Sequence, residues 1–361
     1  MKLTHQKLIN QAHAIARRKF GTTFPNPIVG CVIARNKKII SQAVTNKSGR
    51  PHAEELALKK AGKKAKGASM YVTLEPCFHN SIAGSCTDQI LRSGIKEIFI
   101  STSDPDPRTN KKSIKKLKLN KVIVHTGIEE EKTLSLNKFF FESLKFLKPY
   151  TKIKMAISKD EKIAWSNYKS KWISNSKSRD YAHRLRFKSQ AILTTSKTII
   201  KDNPRFTIRK NDKVIKHITI IIIDKDLKIP LKSKILKDIH EKRIIIFTSN
   251  KNKKFDKLKS IGCEIIFLKK NKKRKLSLKN IFNRIYKLKI YDLLVEAGGI
   301  FFTNLLKNNL VNEIHIFKAN FSIGQKGKPL LLDRKLNQVN KRIIKKRKFN
   351  DNYYYKYVIN K

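Results

Sequence analysis

Strand-length apolar runs alternate with helical patterns along this 361-residue chain, and this alternation limits the fold more than any other feature of the sequence. In the first half, Leu8, Ala12 and Ile15 recur at helical spacing. From there to residue 145 the pattern predicts strands at 28–33, 70–74, 97–101 and 122–124 and helices at 54–61, 87–92 and 129–145. Strands separated by helices form largely parallel sheets covered on both faces, so we predict an α/β fold.

The second half continues the alternation but carries different motifs. It predicts strands at 152–157, 191–193, 218–223, 244–247, 264–267 and 292–296 and helices at 176–187 and 301–307. Pro149 follows the last helical segment of the first half, and a length of 361 residues suits two domains at ~150 residues per domain. We therefore predict domains at 1–148 and 149–361.

The chain is strongly basic, with 82 Lys and Arg residues against 27 Asp and Glu residues and a formal charge of +55. Such a charge attracts polyanions through counterion release. The lysines are nevertheless spread along the whole chain, and Asn, Ile, Phe and Tyr, which share A/T-rich codons with Lys, are abundant too. A drift in nucleotide composition accounts for all of these residue types at once, so we expect at most non-specific binding of nucleic acid.

The sequence predicts neither a membrane span nor a disulfide framework. Its most apolar runs, at 218–223 and 244–247, are far shorter than the ~20 residues of a spanning helix, and residues 1–7 lack the apolar stretch of a signal peptide. Four cysteines in a chain of this length indicate a reducing compartment. These features predict a cytoplasmic protein in which Cys31 and Cys263 are buried structural residues.

A histidine and two cysteines form a candidate zinc site in the first half. His52 and Glu54 open a predicted helix, and Cys77 and Cys86 each lie near the end of a strand or the start of a helix. Three such ligands leave zinc a fourth position for water, whose pKa then falls to roughly 7. Glu54 can move a proton without binding the metal, as in zinc-dependent nucleobase deaminases, where the cysteines lie closer in sequence. A closed structural site would need a fourth ligand, for which His79 is the local candidate.

The order and spacing of these motifs resemble the bifunctional deaminase–reductase family of riboflavin biosynthesis over nearly the whole chain. In this half the resemblance rests on Pro25-Asn26-Pro27, Gly30-Cys31-Val32, His52-Ala53-Glu54 and Thr73-Leu74-Glu75-Pro76-Cys77, with a long spacing to Cys86. It implies a cytidine-deaminase-like α/β/α domain followed by a dihydrofolate-reductase-like α/β domain. It further implies that one Zn²⁺ is held by His52, Cys77 and Cys86, that the proton shuttle is Glu54, and that the pyrimidine substrate contacts Asn26 and His79.

The chain departs from the family pattern throughout the loop at 81–85, before Cys86, and at two further positions. Ile82 stands where the family carries a basic residue that is expected to touch the substrate, and Thr45 stands where it often has a histidine. Glu161 replaces a glycine in a turn of the second half. Because the predicted zinc ligands and Glu54 are retained, we expect deamination chemistry to survive and substrate affinity to be the property at risk.

Two features of the second half suit a nucleotide cofactor and its substrate. Glu296-Ala297-Gly298-Gly299 follows a strand and opens a helix, where glycines let backbone N–H groups approach a phosphate, although a glycine pair also makes ordinary turns. Lys154 lies inside an otherwise apolar strand. It could polarise a carbonyl or bind a phosphate, or it could face solvent at a strand edge, and the residues alone do not decide between these interpretations.

Resemblance to the same family assigns roles in this half. It implies reduction of a ribosyl group by NADPH, with Lys154 near the reacting sugar. The implied NADPH contacts are Ala156, Trp172, Thr198, Asp202, Gly298, Gly299, Ile300, Phe301, Phe302, Thr303 and Asn304. The implied substrate contacts are Ser170, Arg186, Phe206, Arg209 and Glu296, of which the two arginines suit a phosphate.

The predicted function is therefore that of a two-step enzyme of riboflavin biosynthesis. The first step removes the 2-amino group of a phosphoribosylated diaminopyrimidinone by zinc-dependent hydrolysis, and the second reduces the ribosyl group to ribityl with NADPH. The resemblance also implies a homodimer or larger homo-oligomer. Two alternatives stay open: a transfer-RNA deaminase with a basic extension, and an RNA-binding zinc protein whose catalysis has decayed.

Overall fold

The computed structural model describes residues 2–79, 84–165, 173–210, 213–272, 274–332 and 335–360. The chain divides into two compact units, Met1–Leu147 and Lys148–Lys361. Each unit has its own main sheet and its own hydrophobic core. Within the described ranges, every helix is too short or too polar to span a membrane.

The first unit is a mixed sheet between layers of helices. Its strands are β1 (Gly30–Arg35), β2 (Lys38–Val44), β3 (Ser69–Val72), β4 (Glu97–Ile100) and β5 (Ile123–Thr126). Its helices are α1 (Lys2–Arg18), α2 (Ala53–Ala61), α3 (Cys86–Arg92), α4 (Lys112–Leu119), α5 (Glu130–Leu136) and α6 (Lys138–Phe146). The strand order is β2-β1-β3-β4-β5, in which β1 is antiparallel to both neighbours and β3, β4 and β5 are parallel.

Helices cover both faces of this sheet, as the predicted α/β/α arrangement requires. On one face, Ile9 and Ala12 of α1 pack against Val32 and Phe99. On the other face, apolar residues of α2, α3 and α4 bury the opposite side of β1, β3 and β4. Helix α1 lies so close to the sheet that a Cβ atom on Gly30 would be 2.0 Å from the Ala12 carbonyl oxygen, so position 30 requires glycine.

The structure corrects two details of the sequence prediction for this unit. The sheet is mixed instead of largely parallel, because β2, which the apolar pattern did not reveal, forms a hairpin with β1. The single helix predicted at 129–145 is interrupted at Asn137. The buried Asn137 side chain accepts a hydrogen bond from the Ile28 backbone N–H (2.8 Å) and donates one to the Ile28 carbonyl (3.0 Å). This pairing fixes Asn137 between α5 and α6.

The second unit contains a larger sheet. The strands of the unit are β6 (Tyr150–Ile157), β7 (Lys162–Ala164), β8 (Ala191–Thr195), β9 (Ile208–Lys210), β10 (Lys213–Lys216), β11 (Thr219–Ile223), β12 (Ile244–Thr248), β13 (Glu264–Phe267), β14 (Asp292–Val295), β15 (Glu313–Lys318), β16 (Lys328–Pro329), β17 (Lys341–Phe349) and β18 (Asn352–Ile359). Strands β9 and β10 form one small separate sheet, and β7 and β16 form another. The helices of the unit are α7 (Ser176–Phe187), α8 (Ser196–Asp202), α9 (Lys253–Ser260), α10 (Leu278–Lys287) and α11 (Gly299–Lys307).

The main sheet of the second unit has the order β13-β12-β11-β8-β14-β6-β15-β18-β17. The strands from β13 to β15 are parallel, as predicted, and the antiparallel pair β18 and β17 extends the sheet. Side chains of β11 enter cores on both faces: Ile221 packs in the core that includes α10 and α11, and Ile220 packs with α8 and α9.

In an open parallel sheet, ligands bind at the carboxyl ends of the strands. Here β8 leads into α8 and the neighbouring β14 leads towards α11 at that edge.

Candidate functional site

Three potential metal ligands meet in the first unit. The ligand atoms of His52, Cys77 and Cys86 all lie within 4.8 Å of one another. His52 is the N-cap residue of α2, Cys86 is the first residue of α3, and Cys77 lies in the loop after β3. His52 Nδ1 is 3.3 Å from Cys86 Sγ, and the Cys86 backbone N–H donates to Cys77 Sγ (3.3 Å). Two helix N-termini therefore face the cluster, and their positive ends favour thiolates.

The donor set fits zinc. One imidazole nitrogen and two sulfurs are ordinary zinc ligands, and separations below 4.8 Å allow all three atoms to reach one ion at bond lengths of about 2.0–2.3 Å. Hydrogen bonds from Cys86 and His52 lower the pKa of the Cys77 thiol to about 4, so the thiolate that metal binding requires is favoured. His79 is not part of the cluster; its Nδ1 lies 3.4 Å from Thr109 Oγ1. The described residues thus offer three ligands and not the four of a closed structural site.

Glu54 lies beside this cluster in the first turn of α2. Its side chain is buried, with 3% exposure, and burial raises the pKa of its carboxyl. A buried carboxyl two residues beyond His52 can exchange a proton with a group held at the cluster. The structure therefore brings together the predicted ligands and the predicted proton shuttle.

Glu75 is a site-building residue that the sequence analysis missed. Its buried carboxylate accepts hydrogen bonds from the backbone N–H groups of Asp104 (3.1 Å) and Lys111 (3.0 Å) and from Ser113 Oγ (2.9 Å). These bonds hold the loop at 104–111 next to the Cys77 segment, where Thr109 Oγ1 accepts from the Phe78 N–H (3.3 Å). The only signal in the sequence was the adjacency of Glu75 to Pro76-Cys77.

The remaining predicted residues of this half have defined contacts. Asn26 Nδ2 donates to the Gly49 carbonyl (2.9 Å), in the loop that precedes His52. Thr45 is buried and its Oγ1 accepts from the Val29 N–H (3.0 Å), so this residue has a structural role at the position of the family's histidine. Cys31 lies in the hydrophobic core, as predicted, and so does Cys263 in the second unit. Ile82 lies outside the described residues.

A buried carboxylate is the centre of the candidate site in the second unit. Glu296, which follows β14, accepts bonds from Arg186 Nε (2.6 Å) and Nη2 (3.0 Å) and from Lys154 Nζ (3.2 Å). Burial opposes ionisation of Glu296, but the charges of Arg186 and Lys154 hold the pKa of this carboxyl well below its usual range. Lys154 therefore does not face solvent at a strand edge: β6 lies between β14 and β15, and Lys154 is paired with Glu296.

The two arginines of this site differ in environment. Arg186 lies over the Phe206 ring, and its Nη1 donates to the Thr207 carbonyl (3.1 Å) in addition to its two bonds to Glu296. Arg209 is exposed, and its Nε donates to Thr207 Oγ1 (3.0 Å). The structure thus joins Arg186, Phe206, Arg209 and Glu296 around the start of β9.

The described residues among the predicted cofactor contacts lie on several elements at the carboxyl edge of the sheet. Thr198 is in the first turn of α8, where its N–H donates to Thr195 Oγ1, and Asp202 ends that helix. Gly299 begins α11, and a Cβ there would lie 2.3 Å from the Leu330 carbonyl oxygen. Four other predicted cofactor residues are exposed or partly exposed: Ala156, Ile300, Phe301 and Asn304. Two more, Phe302 and Thr303, are buried.

Further predictions of the second half concern Ser170, Trp172, Glu161, Phe302 and Thr303. Ser170 and Trp172 lie outside the described residues. Glu161 adopts a φ of 60°, the left-handed conformation that glycine favours, so here a residue with a side chain occupies a position that suits glycine. Phe302 and Thr303 turn their side chains into the core, which leaves only their backbone atoms for a cofactor.

Comparison with known proteins places both units in one family. Residues 2–102 match the family model for the cytidine and deoxycytidylate deaminase zinc-binding region, and residues 149–355 match the model for the RibD C-terminal domain. The chain is 39% identical to the riboflavin biosynthesis protein RibD of Aquifex aeolicus, over 87% of this chain and 86% of that protein.

Solved structures agree with this assignment. RibD of Acinetobacter baumannii (form 2) has a TM-score of 0.89 and 26% identity and covers 99% of both chains. A Thermotoga maritima structure, described as a diaminohydroxyphosphoribosylaminopyrimidine deaminase/5-amino-6-(5-phosphoribosylamino)uracil reductase, has a TM-score of 0.86 and 26% identity and also covers 99% of both chains.

A zinc-binding deaminase domain followed by a reductase domain defines a bifunctional deaminase and reductase. The chain belongs to the riboflavin biosynthesis RibD family. It is accordingly an enzyme of riboflavin biosynthesis with zinc and NADPH as cofactors. The predicted succession of two α/β domains and the predicted family are confirmed.

Proposed function

We propose that the first unit hydrolyses the 2-amino group from 2,5-diamino-6-(5-phosphoribosylamino)pyrimidin-4-one, and that the second unit reduces the ribosyl group of the deaminated product to ribityl. These are the activities named for the Thermotoga maritima protein. The observation that carries the proposal is the grouping of His52, Cys77 and Cys86 beside the buried carboxyl of Glu54.

In the first unit, we assign His52, Cys77 and Cys86 to holding zinc. Zinc bound by three side chains leaves a fourth position for water and lowers the pKa of that water to about 7. Glu54 takes a proton from the attacking water and gives it to the departing nitrogen, so that oxygen adds to the ring carbon and ammonia leaves. The burial of Glu54 keeps bulk water away from this transfer.

Asn26 and His79 are assigned to orienting the pyrimidine. The hydrogen bond from Asn26 Nδ2 to the Gly49 carbonyl fixes the direction of the amide near the His52 loop. His79 follows Cys77 by two residues and is held through Thr109, which also bonds the Phe78 backbone. Both side chains are therefore held close to the segments that carry the metal ligands.

In the second unit, NADPH supplies the hydride when it is bound. Lys154 provides a positively charged N–H donor that can stabilise negative charge on the sugar oxygen as the hydride is transferred. Glu296 fixes the position of the Lys154 ammonium group through their ion pair. Because the Arg186 guanidinium is already bonded to Glu296 and Thr207, we assign Arg186 to supporting Glu296 and assign the phosphate contact to the exposed Arg209.

The two alternative functions are not supported. A transfer-RNA deaminase or a decayed RNA-binding protein would not need a second unit that matches the RibD C-terminal domain over 149–355. The cytoplasmic location and the homo-oligomeric state stay predictions from the sequence.

The proposed function is tested with the purified full chain, supplied with zinc, the diaminopyrimidinone substrate and NADPH. We expect ammonia release even without NADPH. When NADPH is present, the amount of NADPH oxidised should equal the amount of deaminated product formed, which the released ammonia measures. Ammonia release without NADPH oxidation, or the reverse, would show that only one unit is active. Failure of both reactions would contradict the proposal.

A further inference from the structure

A basic cavity of about 460 Å³ lies in the first unit beside the metal cluster. Its lining connects directly to the ligands, because Phe78 and His79 follow Cys77 and Asp88 follows Cys86 on α3. The residues that line the cavity are Phe78, His79, Asp88, Arg108, Lys112 and Lys116.

Positive charge exceeds negative charge at this lining, since its three cations are accompanied by two carboxylates: Asp88 in the lining and Asp106 bonded to Arg108. Lys116 Nζ is 2.5 Å from Asp88 Oδ1, so both Lys116 and Arg108 are in ion pairs. Lys112 is exposed and is the first residue of α4, where the positive end of the helix dipole adds to its charge. A ligand in this cavity would therefore meet net positive charge at the end that carries Lys112.

The fold holds these cations in place. The loop that carries Arg108 is bonded to the buried Glu75 carboxylate at both Asp104 and Lys111. Ser113, one residue after Lys112, donates to the same carboxylate. The basic end of the cavity is thus anchored to the Glu75-Pro76-Cys77 segment and not to a free surface loop.

We propose that this cavity binds the phosphate of the phosphoribosyl group during deamination, with Lys112 as its principal contact. The inference rests on the proposed function and names the group by which the first unit selects its substrate. Lys116 and Arg108 are already paired with Asp88 and Asp106 and have a secondary part. Phe78 provides an apolar wall under the Lys116 ammonium group at 5.7 Å.

The test compares two forms of the diaminopyrimidinone substrate, one with and one without the 5′-phosphate. In the zinc-loaded full chain, we expect Lys112→Ala to raise the KM of ammonia release for the phosphorylated form about tenfold, the effect of losing one charge-assisted hydrogen bond. The kcat, the zinc content and the KM for the dephosphorylated form should not change. The double variant Arg108→Ala/Lys112→Ala should raise the first KM further, and Lys112→Arg should restore it.

The matched control is Lys118→Ala, which removes the same charge from an exposed position of the same helix outside the cavity. A KM that is unchanged in Lys112→Ala, or that rises equally for both substrate forms or equally in the control, would overturn the proposal. If the unaltered chain releases no ammonia, the proposed function fails, and calorimetric titration with ribose 5-phosphate then decides the phosphate site alone. The double variant should lose one ribose 5-phosphate site, and retention of all sites would contradict the inference.

Discussion

Replacing Glu54 with glutamine should abolish ammonia release while leaving zinc in the protein. The carboxyl is buried beside the cluster of His52, Cys77 and Cys86 without being one of its ligands. Glutamine has the same shape but cannot carry a proton between the attacking water and the departing nitrogen. General acid–base catalysis contributes about 10²–10⁴-fold to a rate, so we expect kcat to fall at least about 100-fold.

The measurement combines ammonia release with zinc analysis of the same preparation. Glu55→Gln is the matched control, because it removes a carboxylate from the next position of α2, where the side chain is only partly buried. The control should retain both activity and zinc. Full activity in Glu54→Gln would rule out its role as the proton shuttle, and loss of zinc from this variant would make Glu54 a metal ligand instead.

Replacing Lys154 with methionine should abolish NADPH oxidation and leave ammonia release intact. Methionine preserves much of the side-chain length but removes the charged donor that we place beside the reacting sugar. Preorganised donors of this kind contribute about 10²–10³-fold to a rate. Glu296 keeps its two bonds to Arg186 in this variant, so the buried carboxylate remains paired and the unit should still fold.

Steady-state assays of the two reactions, together with thermal unfolding, test this prediction. Lys159→Met is the control, since Lys159 is exposed just after β6 and belongs to neither candidate site. The control should oxidise NADPH at the unaltered rate. Normal NADPH oxidation in Lys154→Met would contradict the assignment, and a fall in both reactions would indicate a general loss of folding instead of a specific role.

The sequence predicts the metal cluster well because its chemistry depends on residue type and order. His52 and Glu54 open a helix, and two cysteines follow on later elements, and the structure brings the three ligand atoms within 4.8 Å. Apolar periodicity likewise predicts most elements of the first unit and the central parallel strands of the second, and it gives the boundaries of α7 and β13. In the second unit it misses helices α8 to α10 and the strands from β15 to β18. These signals are local, so a single sequence contains them.

Long-range pairing of polar groups could not be predicted in the same way. Glu296 bonds Lys154 and Arg186, which lie far from it in sequence. The pairing of β6 with β14 brings Lys154 to Glu296, and the packing of helix α7 brings Arg186 there. Asn137 interrupts a helical pattern because it bonds the backbone of Ile28, again across the fold. The role of Glu75 in holding the 104–111 loop depends on the same kind of tertiary contact.

The most direct test of the account is zinc analysis of the purified full chain combined with X-ray absorption spectroscopy at the zinc edge. We predict one zinc per chain, bound by two sulfur atoms at about 2.3 Å and one imidazole nitrogen at about 2.0 Å, with a remaining light-atom ligand that is not supplied by the protein. Replacing Cys77 or Cys86 with serine should remove one sulfur from this shell or release the metal. A chain that binds no zinc, or a zinc shell that is unchanged when either cysteine is replaced, would contradict the central claim.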